Sequence, residues 1–113
     1  MATGSRSTSE LLTEAQFHLE LAVEYARSDV EEQRTLDAMS MRLSAGVETL
    51  SHLDPGVRDR LFGRTWRWMW GMRNRIAHGY LLINADMLHA TVAQDLPEVL
   101  DIIRAELEAS PGT

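Results

Sequence analysis

Residues 66–80 read WRWMWGMRNRIAHGY, and where this run puts its charges decides what kind of chain it belongs to. On a helical wheel, at about 100° per residue, Trp66, Met69, Trp70, Met72, Ile76, Ala77 and Tyr80 gather in one arc. Arg67, Trp68, Asn74 and Arg75 fall outside it. Arg73 lands in the middle of the apolar arc. A guanidinium facing a core needs partners, because an unpaired buried charge costs several kcal/mol. The arc is therefore not pure core: it carries a polar pocket or the wall of a subunit interface. Thr65 can cap this helix, which is expected over residues 66–77, and Gly79 can stop it.

The segments on either side are helical too. Ser7 and Glu10 have capping-box spacing ahead of a helix over residues 9–27, with Leu12, Ala15, Leu19, Ala22, Val23 and Ala26 on one face. Asp29 and Glu32 repeat that spacing before a helix over residues 30–52, striped by Leu36, Met39, Leu43, Val47 and Leu50. Asp54-Pro55-Gly56 closes it and opens a short helix to Phe62, ended by Gly63. Asn84 can cap a last helix over residues 85–109, in which Leu88, Val92, Leu96, Val99, Ile103 and Leu107 share a face. Pro97 lies inside it and predicts a kink or a lost hydrogen bond. No segment alternates as a strand does. The expectation is an all-α chain: a four-helix up-and-down bundle with one extra short helix.

With 113 residues, residues 9–109 form one domain, and residues 1–8 and 110–113 are expected to be disordered tails. So small a domain buries a modest share of its surface, and a homodimer would help it. Residues 1–10 lack a signal peptide's apolar run, and no stretch reaches membrane-spanning length, so the expected location is cytoplasmic. There is no cysteine, which excludes disulfides and thiolate metal sites. The net charge is −6, yet residues 56–80 hold six arginines (Arg58, Arg60, Arg64, Arg67, Arg73 and Arg75) against one acid, Asp59. Local charge sets what a cleft attracts, so this segment can meet an anion despite the acidic total.

Arginine grips phosphate oxygens in a fixed fork, and histidine exchanges protons near neutrality. RNA carries its own nucleophile, the 2′-hydroxyl, so Arg73 and His78 make a minimal kit for cutting it without metal or other cofactor. Arg64, Arg67 and Arg75 can hold further phosphates, and Arg58 and Arg60 can extend that track or else sit on solvated surface or pair with the acidic helices. Trp68 falls on the arginine side and can stack on a base or simply pack. From spacing alone, a plainer reading stays open: Arg73 in an ion pair, and His78 closing a helix whose dipole favours it there. In an unbroken helix, Arg73 and His78 would point about 140° apart; a helix ending near His78 would let the imidazole swing round. Glu14 with His18, Glu48 with His52 and Asp86 with His89 have helical ligand spacing, but no Glu-x-x-His repeat supports a metal.

The run WGMRNRIAHGY, with Arg73, Asn74, His78 and Tyr80 in place, resembles the motif of the HepT-like branch of the HEPN domains. Downstream, Thr91 to Pro97 resembles the family's T-x-x-D-L-P. Gly46-Val47-Glu48 is an imperfect match to its glycine-glutamate-alanine. The resemblance implies the ribonuclease toxin of a toxin–antitoxin pair, metal-independent and homodimeric. Arg73 and His78 would be catalytic, Asn74 a supporting polar residue, and both Arg/His motifs would lie in the dimer cleft. It also implies an MntA-type nucleotidyltransferase antitoxin that adds AMP to Tyr80. The alternative is a non-catalytic HEPN module that binds a nucleotide or the nucleotidyltransferase.

Overall fold

In a computed structural model of the chain, residues 6–28, 32–79 and 84–109 are described. The order is α1 (Thr8–Ala26), α2 (Gln33–Leu50), α3 (Pro55–Phe62), α4 (Arg64–Gly79), α5 (Ala85–Ala90), a π-helical turn (Thr91–Asp95) and α6 (Leu96–Ala109). There is no strand among the described residues. α1 packs against α2 and α6, α2 packs in turn against α4, and α3 touches both α4 and α6. This is the all-α bundle with a short extra helix. No described helix is long and apolar enough to cross a membrane.

Local chemistry accounts for most helix ends. The Ser7 hydroxyl accepts from the Glu10 N–H, and the Glu10 carboxylate accepts from the Ser7 N–H, so α1 starts at Thr8, inside the stretch assigned to a tail. Asp54 caps α3, with Pro55 as its first residue. Gly63 ends α3 at φ 51°, a conformation that favours glycine. Asn84 caps α5 by accepting from the N–H groups of Asp86 and Met87.

Several bounds differ from the sequence expectation. α2 begins at Gln33, its N-cap Glu32 makes no side-chain capping bond, and Asp29 lies outside the described residues. α4 includes Arg64 and Thr65, so Thr65 is not its cap. It also continues through His78 to Gly79, so the imidazole stays on a helical turn. Ahead of Pro97, which has no N–H to give, the Leu96 N–H reaches back to the Thr91 carbonyl. The hydrogen bonding lengthens by one residue and the chain runs on without breaking.

The core is the expected set of stripes. Leu12, Ala15, Leu19 and Ala22 of α1 meet Met39, Leu43, Val47 and Leu50 of α2, with Leu88, Val92, Leu96 and Ile103 from the C-terminal arm. α1 and α2 approach closely at Gly46, where a Cβ would lie 2.5 Å from Leu19 Cδ2 and 2.7 Å from its Cγ. Next to this contact the Arg42 guanidinium lies 3.1 Å from His18 Nδ1. Arginine only donates, so Nδ1 accepts and the ring is neutral. Burial first, and then the Arg42 charge, lower the His18 pKa, with Glu14 opposing them.

Gly46→Ala should destabilise the fold by about 1–3 kcal/mol, despite alanine's better helix propensity, because the Leu19 branch point must move; urea unfolding checks this. His18 also predicts a pH effect. Its folded pKa lies below the unfolded value of 6.5, so the unfolded chain binds more protons as pH falls towards and below that value. Stability should decline on going from about pH 7.5 to 5.5, above the range where Glu10, Glu14 and Glu106 protonate. Melting temperatures across that range should fall for the native chain and fall less for His18→Gln.

Candidate functional site

Arg73 sits where the wheel put it, on the half-covered flank of α4. Met69 and Met72 are buried, while Trp66, Trp70 and Ile76 are packed against the core but partly open. The reason is the packing of α4: it leans on α2, and one flank of its apolar arc meets a groove instead of a helix. That groove, of roughly 570 Å³, runs between α2 and α4 past Ser40, Met41, Ala45, Glu48, Arg73 and Ile76. Met41 stands 69 % exposed on it.

The Arg73 side chain is 25 % exposed and held on several sides. One amino group donates to Glu48 Oε1 at 2.8 Å, and the other to Asn74 Oδ1 at 3.2 Å. Its Cζ lies 5.0 Å from the Trp70 ring centroid, and its buried Nε has no acceptor among the described residues. Trp70 stacks on Trp66 at 5.7 Å, and Arg58 lies over Trp66 at 4.7 Å. The Glu48 carboxylate is shared, since its Oε2 accepts from the Ser51 hydroxyl at 2.9 Å. Sequence reading missed Glu48 as the counter-ion, because it lies 25 positions before Arg73 and was weighed only against His52. The near-match Gly46-Val47-Glu48 was the available signal.

His78 is exposed, lies outside the groove lining, and makes no side-chain hydrogen bond among the described residues. A continuous α4 keeps it about 140° round from Arg73. One copy of the chain therefore brings Arg73 to Asn74, but not to His78. Tyr80 lies outside the described residues.

The remaining arginines divide into two groups. Arg60 forks onto Glu106 of α6 at 2.8 and 3.1 Å, and Arg58 donates to the Ser51 carbonyl. Both serve the fold, which shortens the candidate phosphate track. Arg64, Arg67 and Arg75 are exposed and make no ion pair among the described residues. Arg64 and Arg67 share a hollow with Trp66 and Asp59, and Arg75 touches the Met87 sulfur at 4.0 Å. Trp68 is exposed but borders α6 and not the arginines.

The helical Glu/His and Asp/His pairs have other partners here. Glu14 is taken by Arg6 and Thr49, Glu48 by Arg73 and Ser51, and the His89 Nε2–H faces the Ala26 carbonyl. No cluster of three potential ligands exists among the described residues.

Across residues 11–106 the sequence matches the family model described as "Ribonuclease HepT-like". No curated protein and no solved structure matches the chain.

Water reaches the Glu48–Arg73 pair, whose side chains are 44 % and 25 % exposed. Exposed pairs are worth about 0–1 kcal/mol, so a double-mutant cycle of Glu48→Gln with Arg73→Gln should give a coupling below about 1 kcal/mol by urea unfolding. A coupling of about 3 kcal/mol or more would mean a closed buried bridge with no phosphate role.

Proposed function

The chain belongs to the HepT-like ribonuclease family, and from that premise we propose that it cuts RNA by a metal-independent route, with Arg73 and His78 as the reacting groups of a homodimer. The observation that carries the reading is the state of Arg73: a half-buried guanidinium, held by the Trp70 face and Asn74, whose one counter-ion can be exchanged. A phosphodiester entering the groove mouth takes the place of Glu48 and meets a fork already oriented. Since α4 keeps Arg73 and His78 on different sides, the second copy has a chemical part to play. Docked on the groove, it brings the partner subunit's His78 towards this Arg73, and the reverse.

In this scheme His78 accepts the proton of the 2′-hydroxyl as that oxygen attacks the adjacent phosphorus. Arg73 stabilises the charge that grows on the phosphate oxygens. The P–O5′ bond breaks, and the departing oxygen takes a proton from an imidazolium or water. The products are a 2′,3′-cyclic phosphate and a 5′-hydroxyl end. Arg64, Arg67 and Arg75 track the flanking phosphates, which makes binding salt-dependent.

The biological setting we propose is a toxin restrained by a nucleotidyltransferase antitoxin that adds AMP to Tyr80. Each AMP would place phosphate charge two residues from His78 and compete with RNA for the same cations. A second reading is favoured by the Glu48 contact and the exposed, separate His78: a module that binds a nucleotide or the nucleotidyltransferase and cuts nothing.

Purified protein in EDTA should cleave single-stranded RNA to cyclic-phosphate ends. His78→Ala and Arg73→Ala should each slow this by about 10²-fold or more while keeping helix content. Intact RNA in the presence of a folded dimer would leave the binding module as the function.

A further inference from the structure

Three of this protein's aromatic rings carry arginines. Arg42 lies 5.4 Å from the Phe17 centroid, Arg58 4.7 Å from that of Trp66, and Arg73 5.0 Å from that of Trp70. Trp68 carries none: it is 39 % exposed, with no cation over it among the described residues. It opens onto a hollow of roughly 300 Å³ between α4 and the start of α6, lined also by Thr65, Asp95, Glu98, Val99 and Ile102. Asp95 and Glu98 are exposed and make no side-chain hydrogen bond or ion pair among the described residues. Asp95 ends the π-helical turn and Glu98 stands three residues on, in the first turn of α6, so both acids lie on the face that Trp68 overlooks.

We propose that this hollow receives an arginine side chain from a different protein chain. The guanidinium plane stacks on the Trp68 indole, its fork meets Asp95 and Glu98, and its aliphatic stem covers Val99 and Ile102. Arginine fits better than lysine because it is planar and weakly hydrated, and so can stack and pair at once. RNA does not fit, because two carboxylates repel its phosphates. A second copy fits poorly. Among the described residues the exposed arginines without an ion pair, Arg64, Arg67 and Arg75 of α4 and Arg27 after α1, lie outside this hollow, and docking one of them here would be a head-to-tail contact that need not close. The site is independent of the proposed RNA chemistry, since none of its residues belongs to that machinery.

The test uses the whole protein, ¹⁵N-labelled, titrated with acetyl-Gly-Arg-Gly-amide. The Trp68 indole N–H and the amides of residues 95 to 99 should shift saturably, with an affinity in about the millimolar range. The citrulline analogue should leave them in place. Trp68→Leu, and separately Asp95→Asn with Glu98→Gln, should each weaken the effect about tenfold. All the changed side chains are exposed, and unchanged helix content would confirm that the variants fold. Equal shifts with citrulline, unchanged binding by the variants, or shifts spread over the other acidic residues would overturn the proposal. So would movement of these resonances with protein concentration alone, which would put a second copy in the hollow.

Discussion

A positive charge set into an apolar helix flank has to be answered, and the answer here organises the α2–α4 side of the molecule. Arg73 cannot turn to open water without leaving the Trp70 face, nor sink into the core without a counter-ion. Glu48 supplies that counter-ion from α2, and the Ser51 hydroxyl anchors the other oxygen of the same carboxylate. The pair therefore clamps α4 to α2 at the place where apolar packing thins out into a groove. The same half-burial that lets the pair stabilise the fold keeps it accessible. A fully buried bridge would hold more tightly, but no phosphate could reach it.

The arginines show how one residue type is divided between fold and surface. Arg58, Arg60 and Arg104 are committed, the first to a tryptophan face and a carbonyl, the others to carboxylates of neighbouring helices. Arg64, Arg67 and Arg75 are exposed and make no ion pair among the described residues. Composition counts all of these alike. Only their neighbours separate them: Trp66 and the Ser51 carbonyl for Arg58, Glu106 of α6 for Arg60 and Glu20 of α1 for Arg104, the last two remote in the chain.

The C-terminal arm shows how a local defect acquires consequences. Pro97 removes one N–H, and the chain accommodates this with a wide turn over Thr91–Asp95. The apolar stripe survives it: Leu88, Val92, Leu96, Val99 and Ile103 are all buried on either side. The outward face carries Asp95 and Glu98, three residues apart, beside Trp68.

Much of this was legible in the residues. The caps at Ser7, Asp54 and Asn84, the stop at Gly63, the core stripes and the odd position of Arg73 all follow from contacts within a turn or two of chain. Helical hydrogen bonds and side-chain spacing are local, so sequence alone sets them. The beginning of α2 was less legible, as was the persistence of α4 through His78, because end effects are small and packing tips them. Glu48 as the partner of Arg73, the commitment of Arg60 to Glu106 and the company of Trp68 belong to tertiary structure alone. Each joins residues from separate helices, and which faces meet is decided by how whole stripes pack, as at the Gly46–Leu19 contact, not by any one residue's preference.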